Sequence, residues 1–145
     1  MVNVFTEIII NVPRDKVEEY TSNPDNAPEW YVNIKSAEWR TENLIRVGSK
    51  IAFKADFLGR QLAYVYEIKE YVPNEKLVMR TADGPFPMET TYTWEAVKDN
   101  STRMTLQNRG VPSGFSKWFS PIMVYMMKSA NKKDLKKLKE ILERD

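Results

Sequence analysis

The chain has 145 residues, of which 22 are Lys or Arg and 20 are Asp or Glu, for a net charge of +2. This length suits one domain with a buried core, and 42% hydrophobic with 29% charged residues is typical of globular rather than disordered proteins. The small net charge gives no reason to expect a nucleic-acid partner. No apolar run approaches the ~20 residues that cross a membrane, so no stable membrane insertion is expected.

The sequence contains no cysteine and no histidine. The chain therefore forms no disulfides and no Ser-His or Cys-His pairs. It also lacks thiolate chemistry and the commonest metal ligand. We expect neither a metal nor a cofactor, and any catalysis would rest on Asp, Glu, Lys, Tyr or Arg. The N-terminus shows no secretory signal pattern, so a cytoplasmic location is expected.

The first predicted element is a strand over residues 2–12. Val, Thr and Ile occupy the even positions, while polar residues such as Glu7 share the other face. A period of two is typical of a half-buried strand. Pro13 ends this strand and suits the first turn of a short helix that stops by Ser22. Asn23-Pro24 then begins a second short helix, so the chain is predicted to cross the end of a sheet here.

The middle of the chain shows short runs with a period of two, separated by turn residues, and no helical period. Because the turns are short, neighbouring strands are expected to be antiparallel and to form a meander. The predicted strands cover residues 33–41, 49–58, 61–71, 76–82, 86–97 and 101–109. The residues predicted to face inward are Ile51, Phe53, Ala55, Phe57, Leu62, Tyr64, Tyr66, Ile68, Phe86, Met88, Thr90, Tyr92, Trp94, Met104 and Leu106.

A long helix is predicted from about residue 115 to 143, where apolar residues recur at spacings of three and four. A single helix, only ~10 Å across, does not fill the trough of a strongly twisted sheet of seven strands. Large side chains must plug the gap, or a hollow must remain. The mixture of aromatic, methionine and small inward residues favours a hollow.

Local sequence matches accompany this order of elements along nearly the whole chain. They cover residues 10–17, 23–26 with Trp30, 47–48, 71–77, 101–105, 134–135, 138–139 and 142–143. The ordered set resembles the START-like superfamily, also called SRPBCC, and within it the polyketide cyclase/dehydrase and lipid-transport branch. The resemblance implies an α+β helix-grip fold, with a seven-stranded curved antiparallel sheet around a long C-terminal helix and two short helices between strands one and two. Residues 1–145 would then form a single START-like ligand-binding domain.

The superfamily contains lipid carriers, hormone receptors, cyclases and chaperone activators, so the resemblance does not imply one activity. The main prediction is that the chain binds, or binds and carries, a small hydrophobic or amphipathic ligand between the sheet and the C-terminal helix. Two alternatives stay open: a polyketide cyclase/dehydrase-like enzyme working in the same cavity, and a module that acts on a protein partner. Asp83-Gly84-Pro85-Phe86 followed by Trp94 is also similar to a pattern of coenzyme Q-binding relatives, which would imply a quinone or isoprenoid ligand.

The predicted ligand contacts are inward-facing aromatic and methionine residues. Thioethers adapt to varied apolar ligands, and buried phenols need hydrogen-bond partners, although both residue types also fill ordinary cores. Two aromatic residues at the start of the long helix could form a lid or anchor that helix. The set is Phe53, Tyr64, Tyr66, Met79, Met88, Tyr92, Trp94, Met104, Trp118, Phe119, Met123, Met126 and Met127.

Three residues are candidates for moving protons: Glu38, Tyr66 and Tyr92. Glu38 is the only strand carboxylate whose parity allows it to face inward, where burial would raise its pKa and make it a base. The alternative is a solvated charge on an edge strand, which discourages aggregation. Arg40 on the same strand is a candidate partner of Glu38 or an anchor for a ligand carboxylate.

Overall fold

The computed structural model describes residues 2–57, 59–83, 87–98, 100–110 and 121–144, without the side chains of Val2, Phe57, Asp83 and Met123. The helices are α1 (Arg14–Ser22), a 3₁₀ turn (Pro24–Asn26), α2 (Ala27–Trp30) and α3 (Pro121–Leu142). The strands are β1 (Val2–Ile10), β2 (Ile34–Trp39), β3 (Lys50–Phe57), β4 (Arg60–Val72), β5 (Lys76–Asp83), β6 (Met88–Lys98) and β7 (Ser101–Gly110).

The strands form one seven-stranded antiparallel sheet in the order β1-β7-β6-β5-β4-β3-β2. Strands β2 to β7 make the predicted meander, and β1 pairs with β7 at the far edge. The chain passes from one edge to the other through α1, the 3₁₀ turn and α2, so the predicted crossover is confirmed. The predicted strand ends agree with the structure to within two residues. The predicted helix start at 115–120 lies outside the described residues.

The sheet curves into a half-barrel because its longest strand is bent. Strand β4 has 13 residues, and its register against β5 shifts between Val65 and Tyr66 and again between Ile68 and Glu70. Such bulges bend a strand and increase its twist. The concave face of the curved sheet faces the C-terminal helix, and the helix-grip prediction is confirmed.

Burial along the strands follows the predicted alternation. On β6, for example, Met88, Thr90, Tyr92 and Trp94 are buried while Glu95 is exposed. The predicted inward residues that are buried include Ile51, Phe53, Leu62, Ile68, Met104 and Leu106. The side chain of Phe57 and the whole of Phe86 lie outside the described residues.

The C-terminal half of α3 is fixed to β1. Leu135 and Leu138 lie in the core, 1% and 0% exposed. The Nζ of Lys139 donates to the carbonyl of Ile9 at 3.0 Å, and Oε2 of Glu143 accepts the N–H of Asn11 at 2.7 Å. Because these contacts hold the helix against one edge, its middle residues face the other strands across a gap. None of the described helices has both the length and the apolar character needed to cross a membrane.

Candidate functional site

The gap between the middle of α3 and strands β3 to β7 is a cavity of about 180 Å³. Inward positions of the sheet form its floor, and the segment after α2 forms one side. Residues from α3 cover it at helical spacing. Its wall consists of Tyr31, Asn33, Ile34, Phe53, Ala55, Leu62, Tyr64, Tyr66, Met79, Met88, Thr90, Tyr92, Asn108, Met127, Ala130, Asn131 and Asp134.

Most of the cavity wall is apolar. On the paired strands β3 and β4, Phe53 lies opposite Tyr64 and Ala55 lies opposite Leu62, with Met79 and Met88 beyond them. The rings of Phe53 and Tyr66 pack edge to face with centroids 5.8 Å apart. Since aromatic and thioether groups attract apolar ligands without directional demands, this part of the wall suits a hydrocarbon body.

Two tyrosine hydroxyls meet at the side of the cavity next to α2. The hydroxyl oxygens of Tyr31 and Tyr92 lie 2.6 Å apart, and Trp30 packs against both rings. Burial raises the pKa of Tyr31 well above its ordinary value, and the neighbouring Tyr92 raises it further. Burial also raises the pKa of Tyr92, although its hydrogen bond with Tyr31 opposes the shift. Both phenols are therefore neutral at physiological pH and serve as hydrogen-bonding groups.

A second polar group lies on the floor. The hydroxyl of Thr90 donates to Oδ1 of Asn108 at 2.8 Å. Burial raises the pKa of Tyr66 to about 12, and a hydrogen bond with Thr90 partly offsets this. Burial also raises the pKa of the half-buried Tyr64. These tyrosines can donate to or accept from a ligand, but at neutral pH they are not bases.

Asp134 is the acidic residue among the described residues of the cavity wall. It is 3% exposed, and its Oδ1 accepts the backbone N–H of Val32 at 2.8 Å. Burial raises the pKa of this carboxyl to about 6, against the lowering effects of that hydrogen bond and of Lys137. A buried carboxyl group whose pKa lies near neutral pH is a feature of catalytic and binding sites.

Asn131 lies one helical turn before Asp134 on the same wall. Its side chain is buried, with 7% of the residue exposed, and its Nδ2 has no hydrogen-bond partner among the described residues. Sequence reasoning missed both Asn131 and Asp134 because they stand among exposed lysines. The available signal was their spacing from Met127, since positions at i+4 and i+7 share one helix face.

The family model described as polyketide cyclase/dehydrase and lipid transport matches residues 1–143. The chain belongs to this family. No curated protein sequence matches the chain significantly.

Solved structures with the same fold include several from bacteria. TTHA0849 from Thermus thermophilus is 17% identical with a TM-score of 0.81, and the match covers 97% of this chain and 96% of that one. A START superfamily protein from Mycobacterium smegmatis is 12% identical with a TM-score of 0.79, over 99% and 98% of the chains. The Zhui aromatase/cyclase from Streptomyces is 14% identical with a TM-score of 0.79, over 98% and 93%. At these identities the likeness shows the fold.

In this family member the structure brings together part of the predicted ligand-contact set. The predicted residues that line the cavity are Phe53, Tyr64, Tyr66, Met79, Met88, Tyr92 and Met127. Trp94 and Met104 are buried but do not line it, and the indole N–H of Trp94 donates to Oγ1 of Thr21 at 2.9 Å. Met126 is 37% exposed and does not line it either. Trp118, Phe119 and the side chain of Met123 lie outside the described residues.

Of the two alternatives for Glu38, the inward orientation is wrong and the exposed charge on an edge strand is confirmed. Glu38 and Arg40 are exposed, while Ala37 and Trp39 take the inward positions of β2. The register of β2 against β3 shifts between Ile34 and Ser36, and this irregularity reverses the parity of every later residue in the strand. Glu38 is therefore not available to a ligand in the cavity.

Proposed function

We propose that this family member binds a small apolar or amphipathic molecule in the cavity between the sheet and α3, and that residues 1–145 act as a single ligand-binding domain. The observation that carries the proposal is a cavity of about 180 Å³ with a mostly apolar wall and a few polar groups. Ligand pockets have this composition, because apolar area supplies affinity and sparse polar groups set orientation. An apolar cavity of roughly 150 Å³ already accepts benzene.

The size of the cavity also argues against a simple packing defect. Larger side chains at Ala55 and Ala130, which both line the wall, would fill part of this volume and bury more apolar surface. Small residues at these positions are expected when the volume is occupied by a ligand.

The proposal is tested by filling the cavity. Ala130→Leu adds three carbons to the cavity wall, while Lys132→Leu places the same side chain on the exposed face of the same helix. Binding of tetralin, a neutral bicyclic hydrocarbon, is followed through the protein amide signals in NMR spectra. We expect saturable binding that Ala130→Leu weakens at least tenfold and Lys132→Leu leaves unchanged. Absence of saturable binding, or equal effects of the two variants, would reject the proposal.

A dehydratase working in the same cavity is the second candidate, and Asp134 favours it. A general base is most effective when its pKa lies near the working pH, and burial raises the pKa of Asp134 to about 6. Its carboxylate would take a proton from the carbon between a carbonyl and a β-hydroxyl group. The carboxyl group so formed would return that proton to the leaving hydroxyl, which departs as water and leaves the enone. The test is 4-hydroxy-4-phenylbutan-2-one, whose enone product absorbs in the near ultraviolet. Turnover that Asp134→Asn lowers by about 100-fold would support an enzyme. If there is no turnover, the dehydratase candidate is rejected and ligand binding remains as the proposed function.

A further inference from the structure

We infer that the cavity has a polar end, formed by Asn131, Asp134, Tyr31 and Tyr92, which selects an uncharged ligand carrying a carbonyl and a hydroxyl oxygen. This inference rests on the proposed binding function and specifies the chemistry of the ligand. It also makes the cavity unsuited to fatty-acid anions and other carboxylates.

The amide of Asn131 is the first observation. Asn131 lines the cavity, and its buried Nδ2 has no hydrogen-bond partner among the described residues. A buried donor without an acceptor costs free energy, so such groups in folded proteins normally have a partner, whether protein, water or ligand. A carbonyl oxygen on the ligand is the matching acceptor, because it needs no hydrogen of its own.

The second observation is the group of oxygens beside Asn131. Asp134 follows Asn131 by three residues and bonds to Val32, the neighbour of Tyr31. Besides burial, its charge raises the pKa of both Tyr31 and Tyr92, so the carboxylate lies near their hydroxyls, and all four residues line the cavity. The hydrogen bond that Asp134 accepts from the backbone N–H of Val32 uses Oδ1. Of the two hydroxyl hydrogens of Tyr31 and Tyr92, one lies between their oxygens and the other is left for a third group. These oxygens can accept from a ligand hydroxyl and also donate one hydrogen.

The third observation is the charge of the wall. Tyrosines and Asp134 are the ionisable residues that line the cavity, and no Lys or Arg does so in the described part of the chain. A ligand carboxylate would be buried next to the like charge of Asp134 without a cation, which is strongly unfavourable. A ligand amine would suit Asp134 but would leave the amide of Asn131 without an acceptor. A neutral oxygen ligand satisfies both residues.

A series of probes on one carbon skeleton tests this inference. The probes are tetralin, its ketone 1-tetralone, the hydroxyketone 4-hydroxy-1-tetralone, the anion tetralin-1-carboxylate and the cation 1-aminotetralin. At pH 7.5 we expect the hydroxyketone to bind more tightly than the ketone. We expect the ketone to bind at least tenfold more tightly than the anion or the cation. Tighter binding of either charged probe would overturn the inference.

Variants of Asn131 and Asp134 assign the selectivity to these two residues. Asn131→Leu, and Asn131→Ala as a smaller alternative, should lower the ratio of ketone to tetralin affinity about tenfold, because the carbonyl loses its donor. Asp134→Asn keeps the shape and should lower the ratio of ketone to anion affinity by at least fivefold, because it removes the like charge. Lys132→Leu should leave both ratios unchanged.

The outcomes separate this inference from the proposed function. If tetralin binds but neither ratio responds to the variants, the polar end is overturned while the binding function stands. If no probe binds, the proposed function fails and the inference fails with it. An unchanged ketone ratio in Asn131→Leu would by itself show that Asn131 does not hold a ligand carbonyl.

Discussion

The carboxylate of Asp134 accepts a hydrogen bond from the backbone N–H of Val32, and these two residues are 102 positions apart in the chain. The bond joins the middle of α3 to the segment between α2 and β2. Tyr31 and Asn33, which flank Val32, both line the cavity. One side chain therefore both contributes a charge to the cavity wall and positions the neighbouring wall segment.

The stability of the protein should depend on pH through Asp134. Its folded-state pKa is raised from 3.8 to about 6, so the folded state binds more protons than the unfolded state between these values. The stability associated with the protonated form is complete below the unfolded pKa and is lost as the pH rises through about 6. Relative to Asp134→Asn, the unmodified protein should lose about 2 kcal/mol of unfolding free energy between pH 4 and pH 7.5. Urea unfolding of both proteins at each pH measures this difference.

Glu38→Gln is the matched control for that measurement. It removes one negative charge from an exposed position on β2, and so controls for the change in net charge without touching a buried carboxyl group. If Asp134→Asn behaves like Glu38→Gln, the burial of Asp134 has no energetic consequence.

The hydroxyl pair of Tyr31 and Tyr92 should show a measurable coupling energy. Tyr31→Phe or Tyr92→Phe alone leaves the partner hydroxyl without its bond of 2.6 Å, whereas the double variant removes both groups. A buried neutral hydrogen bond contributes about 1 kcal/mol net, so the two single changes should be non-additive by about that amount. Urea unfolding of the unmodified protein, the two single variants and the double variant completes the double-mutant cycle. Additivity within about 0.3 kcal/mol would mean that the two hydroxyls are not coupled.

Trp94 should behave as a core residue rather than as a ligand contact. Thr21→Val removes the acceptor of its indole N–H and also the bond from Thr21 to the carbonyl of Val17, both of which are buried. We expect a loss of about 2 kcal/mol in unfolding free energy, with unchanged affinity for tetralin. Thr91→Val, on the other face of β6, should change stability by less than about 0.5 kcal/mol. A loss of tetralin binding in Thr21→Val would instead connect Trp94 to the ligand site.

The turn between β3 and β4 should require glycine for its backbone alone. Gly59 has a φ of +77°, and a Cβ built there meets no heavy atom within 4 Å. Gly59→Ala should therefore cost about 1 kcal/mol through the left-handed backbone conformation, and Gly59→Asn should cost less, because asparagine tolerates that region. Thermal unfolding of the two variants distinguishes them. Equal stability of both variants and the unmodified protein would show that this φ is not maintained in solution.

The candidate site could be predicted only in part. Alternation with a period of two placed Tyr66, Met88 and Tyr92 on the inner face. Around each of these residues, the pairing with at least one neighbouring strand has no register shift. The same reasoning failed for Glu38, since an irregularity near Ile34 reverses the parity of β2. A bulge depends on how neighbouring strands pair, and a local pattern does not reveal it.

The sequence by itself determined the order of the elements, the inward faces of most strands and an apolar lining, because periodicity and turn chemistry are local properties of the chain. The helix-grip fold followed from the resemblance of that ordered set to the START-like superfamily. Only the tertiary structure decided which buried residues line the cavity and which fill the core. Trp94 and Tyr92 share one face of the same strand, yet the first bonds to Thr21 and the second borders the cavity. Asn131 and Asp134 became site residues only when α3 was anchored to β1. That docking turns polar groups of a lysine-rich helix away from water, and no local pattern specifies it.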